Sequence, residues 1–99
     1  MIHHTFNLNA YSDTECLHHF RFTARQIVTV AAALCLPHVI YFRASSRQKF
    51  SLDRITSLCI LLKRLAFPNR LLDLDEFFGI DSSTIDHIII TMVESLLFE

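Results

Sequence analysis

Residues 51–70 read Ser-Leu-Asp-Arg-Ile-Thr-Ser-Leu-Cys-Ile-Leu-Leu-Lys-Arg-Leu-Ala-Phe-Pro-Asn-Arg, and no other stretch limits the fold so tightly. The run predicts a helix over about 52–66. Ser51 stands where an N-cap is wanted, and Asp53 falls in the first turn, where the helix dipole favours an anion. Leu52, Ile55, Leu58, Cys59, Leu62, Leu65 and Ala66 recur at three- and four-residue spacing and mark one face. Ile60 and Leu61 fall off that face, so the middle of the helix is apolar nearly all round and needs neighbours on several sides. Lys63 and Arg64 suit the negative end of the dipole, and Pro68 stops the helix. On this phasing, truncating Leu62 to Ala removes ~2–5 kcal/mol.

The other segments supply the neighbours. Ser12-Asp-Thr-Glu15 is a capping box and predicts a short helix over Asp13–Phe20. A second box, Thr23-Ala-Arg-Gln26, opens a helix through Ile27, Val28, Val30, Ala31, Leu34 and Cys35 that ends by Leu36, ahead of Pro37. Val39–Phe42 is β-branched and aromatic enough to be extended, but no pairing strand is evident. Ala44–Lys49 reads as a polar loop. Asn69 caps a helix over Arg70–Phe78 with an apolar stripe of Leu71, Leu74, Phe77 and Phe78, and Gly79 fits the left-handed position past its end. Asp81-Ser-Ser-Thr84 offers caps for a last helix over about 82–97, whose apolar set is Ile85, Ile88, Ile89, Met92, Val93, Leu96 and Leu97. Residues 1–11 show no periodicity and read as a flexible arm. The expectation is one all-α domain over residues 12–99, a small bundle of four to five helices with the last two in a helix-turn-helix arrangement.

Composition narrows the function classes. The chain has 99 residues, too few for a catalytic domain beside a binding domain, and its 52 % apolar content excludes disorder. An odd count of three cysteines, Cys16, Cys35 and Cys59, reads as free buried thiols in a reducing compartment. No Lys or Arg precedes an apolar run near Met1, so the chain is not expected to be secreted. The longest uncharged stretch, Gln26–Phe42, is 17 residues and is broken by Pro37 and His38, which argues against a membrane span.

Charge is divided along the chain. Residues 1–70 hold all nine Lys and Arg and a net charge of +6, whereas residues 71–99 hold seven acids and no Lys or Arg, a net −7. Such a chain offers a polyanion one side and a basic partner the other, or the two halves attract each other within one fold. The candidate phosphate contacts are Arg43, Arg47 and Lys49 in one loop, with Lys63, Arg64 and Arg70 around the end of the central helix. Six neutralised phosphates would give a salt slope of about −5. In a helix-turn-helix, Ser83, Thr84 and His87 on the last helix would meet bases or sugars. Asp81 and Asp86 would repel phosphate, and the same two helices could serve packing alone.

Other chemistry finds little footing. Cys35-x-x-His38 has tolerable zinc spacing, yet no second pair completes four ligands. There is no glycine-rich phosphate loop and no nucleophile elbow. Asp73, Asp75 and Glu76 read as a solvated helix face. No catalytic residue, metal, cofactor or small-molecule substrate is expected.

Two segments together carry a resemblance. The first is Phe20-Arg-Phe-Thr-Ala-Arg-Gln-Ile27, continuing to Leu34-Cys-Leu-Pro37. The second is Leu58-Cys-Ile-Leu-Leu-Lys-Arg-Leu-Ala-Phe-Pro-Asn-Arg70, continuing through Asp73-Leu74, Phe78-Gly79 and Ser82-Ser-Thr84. Over roughly residues 17–97 the chain resembles the N-terminal helical region of PIF/Harbinger-like DDE-type transposases. In that group this region is a helix-turn-helix-like module ahead of a nuclease domain. The family's Asp/Asp/Glu triad, which binds two metal ions, lies in that further domain, so no residue here inherits it. The resemblance implies a truncated or domesticated, non-catalytic module of mobile-element origin, located in the nucleus; without it, a cytoplasmic location is expected. It implies binding of duplex DNA, or docking onto a transposase nuclease domain. The alternatives are a protein-interaction or dimerisation module that uses Ile90 and Phe98, and a transposon fragment without function.

Overall fold

The computed structural model describes residues 6–43, 49–67 and 71–97. Among these, a 3-10 turn at Leu8–Ala10 precedes α1 (Asp13–Phe20), α2 (Ala24–Ala33), β1 (Val39–Arg43), β2 (Lys49–Asp53), α3 (Arg54–Ala66), α4 (Leu71–Phe78) and α5 (Ser82–Leu97). The chain is a mostly helical domain, as the sequence predicts, with a small two-stranded sheet added. None of the described helices is long and apolar enough to cross a membrane.

Both capping boxes form. Ser12 Oγ accepts from the Glu15 amide at 3.2 Å, while the Ser12 amide donates to Glu15 Oε1 at 2.9 Å. Thr23 and Gln26 repeat the exchange at 3.3 and 2.9 Å. Each box satisfies two amides that a helix start otherwise leaves unbonded. Helix α2 stops earlier than Pro37 requires. Cys35 takes φ 57°, its amide bonds to Ala32 O at 3.0 Å, and the Leu36 amide bonds to Ala31 O at 3.3 Å. This is a Schellman close with cysteine at the left-handed position, and it drives Leu36 into the core while leaving Cys35 exposed. Cys35 therefore does not belong to the buried face of α2. Cys16 and Cys59 are buried as free thiols, and burial raises the pKa of both. Gly79, at φ 67°, ends α4 as expected.

The end of the expected polar loop, at Lys49, and the start of the central helix are revised; residues 44–48 lie outside the described residues. Strand β1 pairs antiparallel with β2 in the register Val39↔Asp53, Ile40↔Leu52, Tyr41↔Ser51, Phe42↔Phe50 and Arg43↔Lys49. Ser51 is thus an exposed strand residue rather than a cap. Asp53 caps α3: its Oδ2 accepts from the Thr56 amide at 3.0 Å and its Oδ1 from the Thr56 hydroxyl at 2.7 Å. Asp53→Ala should cost ~0.5–2 kcal/mol and Ser51→Ala less than ~0.5, compared by urea denaturation.

Helix α3 is the hub, in contact with α1, α2, α4, α5 and both strands. Its buried residues are Thr56, Ser57, Leu58, Cys59, Ile60, Leu61 and Lys63. The apolar-all-round middle is therefore real, but Leu65, placed on the core face by spacing, is 67 % exposed. The buried hydroxyl of Ser57 donates to Asp53 O at 3.1 Å. The flexible arm expected over residues 1–11 is ordered where it is described. Leu8 is buried, and Phe6 stacks between Tyr11 and the α4 rings, 5.0 Å from Phe78.

Candidate nucleic-acid interface

The hairpin carries two of the basic residues, Arg43 and Lys49. Its inward positions, Ile40, Phe42, Phe50 and Leu52, join the core, and the opposed Phe42 and Phe50 rings stack at 5.2 Å. Alternation turns Val39, Tyr41, Ser51 and Asp53 to solvent, with Tyr41 78 % exposed. Two rungs beyond Tyr41 and Ser51, past the Phe42–Phe50 pair, Arg43 and Lys49 stand opposite each other in register as the last pair of the ladder. Between them the sequence carries Arg47 and no acid, but Arg47 lies outside the described residues.

The rest of the expected contact set divides. Lys63 does not face a polyanion. It is 7 % exposed, with Nζ 4.6 Å from the Phe67 ring centre, 4.4 Å from that of Phe77 and 3.0 Å from His19 Nδ1. An ammonium in that position donates to Nδ1, which fixes His19 as the tautomer protonated on Nε2. Burial first, then the charges of Lys63 and His18, lower the His19 pKa, against an opposing pull from Glu15. Arg64 is half-buried, and Arg70 lies outside the described residues.

Helices α4 and α5 do form a helix–Gly79–Ile80–helix corner, and they pack on each other. Asp81 caps α5. Its carboxylate accepts from the Ser83 hydroxyl at 2.6 Å, the Thr84 hydroxyl at 2.7 Å and the Thr84 amide at 3.2 Å. These bonds, the Ser83 bond above all, hold the Asp81 carboxyl below its usual range, so an anion occupies the end of α5 that would approach DNA. Ser83 and Thr84 spend their protons on that anion and are poor candidates for base contact. His87 is half-buried one turn further on, beside exposed Asp86.

A cleft bounded by Phe6, Leu8, Val28, Asp53, Ile55 and Thr56 holds about 250 Å³, below the ~300–1,000 Å³ of typical ligand sites. Among the described residues, no three His, Cys, Asp or Glu side chains gather as a metal would need. Sequence reasoning missed the hairpin, the exposed Tyr41 and the Lys63–His19 pair. The period-two alternation of residues 49–53 was the available signal for the first two. Nothing local announces the third, since its partners are 44 residues apart in sequence. No family model, curated protein or solved structure matches the chain.

Proposed function

We propose that the chain is a non-catalytic nucleic-acid-binding module that grips duplex DNA by its phosphates through the β1–β2 hairpin. The observation that carries this reading is the register that sets Arg43 opposite Lys49 at the end of the two-stranded ribbon where β1 finishes and β2 begins. Paired cations on a narrow ribbon match the close phosphate spacing of DNA, and phosphate contacts dominate non-specific affinity. Exposed Tyr41, two residues before Arg43 on β1, adds an amphipathic ring to the same ribbon. The contact set is therefore smaller than six residues and centres on Arg43, Arg47 and Lys49, without Lys63.

The segments Phe20–Pro37 and Leu58–Arg70, similar to the helical region of PIF/Harbinger-like transposases, support a mobile-element origin, and with it a nuclear site of action. A second reading, a protein-interaction module, draws on the last helix, where Ile90 is 57 % exposed; Phe98 lies outside the described residues.

Titration of random duplex DNA at a series of salt concentrations tests the first reading. Arg43, Arg47 and Lys49 together predict a slope of log K against log salt near −2.7, from about −0.9 per phosphate. Arg43→Ala and Lys49→Ala should each make it shallower by about 1 and weaken binding uniformly across sequences. An absence of binding at low salt, or slopes unmoved by either substitution, overturns the proposal.

A further inference from the structure

The outer side of α5 carries a second surface, unrelated to the hairpin cations. The inner side, Ile85, Ile88 and Met92, is buried where α5 meets α3, α4 and β1. Outward lie Ile90 at 57 % and Val93 at 38 % exposure, with Ile89 and Leu96, half-buried and packed in part against the core, at the edge of the strip at helical spacing. Exposed Asp86 sits one turn before Ile90, and exposed Glu94 one turn after it. Across residues 71–99 there are seven acids and no Lys or Arg to offset them.

That charge pattern selects the occupant. If a second copy paired its own α5 antiparallel about Ile90, Asp86 of one copy would meet Glu94 of the other. A parallel pair would set Asp86 against Asp86. Either arrangement brings like charges together as the aliphatic strip is desolvated. A partner helix with Leu or Ile at i, i+3 and i+7, flanked by Lys and Arg, buries the same strip and matches both acids. We infer that the Ile89–Ile90–Val93–Leu96 strip, rimmed by Asp86 and Glu94, docks a basic amphipathic helix of another protein.

The test uses the full chain, labelled with ¹⁵N, and a synthetic 18-residue amphipathic peptide of Leu and Lys. A Leu/Glu peptide of the same pattern is the control. Saturable amide shifts gathered on residues 86–96 are expected with the basic peptide alone. Ile90→Glu should weaken that binding about tenfold or more, the worth of one buried aliphatic side chain. The double variant Asp86→Lys/Glu94→Lys should weaken it comparably and relax its salt dependence. All these positions are exposed, so circular dichroism should stay at the wild-type spectrum. Four results would overturn the inference: shifts centred on α4, equal binding of the acidic peptide, no effect of either variant, or a concentration-dependent dimer that Ile90→Glu abolishes. The last would assign the strip to a second copy. Each is independent of DNA affinity, so this proposal and the hairpin reading can fail separately.

Discussion

Leu58→Ala should lower the stability of this domain by about 2–5 kcal/mol, and Leu65→Ala by less than about 0.5 kcal/mol. Both are leucines of α3, and simple three-and-four spacing puts both on its core face. The structure separates them. Leu58 is 1 % exposed at the middle of a helix that touches every other described helix and both strands, so deleting its side chain leaves a cavity with walls on all sides. Leu65 is largely in water near the end of α3, where truncation removes few contacts. Leu62 is half-buried and should fall between them, below the full core cost that spacing alone assigns it. Against a typical total of ~5–15 kcal/mol, the Leu58 loss is large enough to leave much of the population unfolded. Urea denaturation midpoints with an unchanged m-value would establish the ranking. A Leu65→Ala loss equal to that of Leu58→Ala would contradict the phase of α3 and, with it, the hub.

The helices were legible because their signals are local. Two capping boxes, a glycine after α4 and unbroken apolar periodicity in α5 each act within a few residues, and the structure keeps those elements nearly where the sequence puts them. The hairpin was misread because two local codes overlap. Leu52 fits both the 3.6-residue repeat of α3 and the alternation Lys49-Phe50-Ser51-Leu52-Asp53, and Ser51 is as good a cap by type as Asp53. What decides between them is non-local: the pairing of residues 49–53 with Val39–Arg43, which moves the helix start by two residues. The candidate site shifts for the same reason. Arg43 and Lys49, read in sequence as parts of one loop, become the last pair of a ribbon, while Lys63, one of the expected contacts, is drawn inside by the rings of Phe67, just past α3, and Phe77 of α4 and by a histidine from α1. Charge counting cannot see that burial. Nor can it see that Ser83 and Thr84 are already bonded to Asp81.

The Lys63–His19 pair makes the second large effect both a substitution and a pH result. Lys63→Ala should cost about 2–4 kcal/mol, because it deletes a buried aliphatic stem together with a cation over two rings. The pH dependence follows from His19, whose folded pKa lies below its ordinary 6.5 because burial and the neighbouring ammonium penalise the imidazolium. Between those two pKa values the unfolded chain holds more protons than the folded one. The contribution of neutral His19 is therefore complete above about pH 6.5 and is lost as pH falls toward the lowered folded value. Two carboxylates act separately and lower on the scale. Glu15, held down by its bonds to Ser12, and Asp81, held down by Ser83 and Thr84, give stability that is lost only as pH drops below their ordinary values of 4.5 and 3.8. Denaturation midpoints recorded from pH 8 to pH 3 should thus decline in two stages. His19→Phe should remove the upper stage and leave the lower one. Lys63→Met, which keeps the stem but not the charge, should shrink the upper stage without abolishing it, since burial is the larger cause of the shift. An upper stage that survives His19→Phe intact would show that another group governs it and that the buried pair is electrostatically silent.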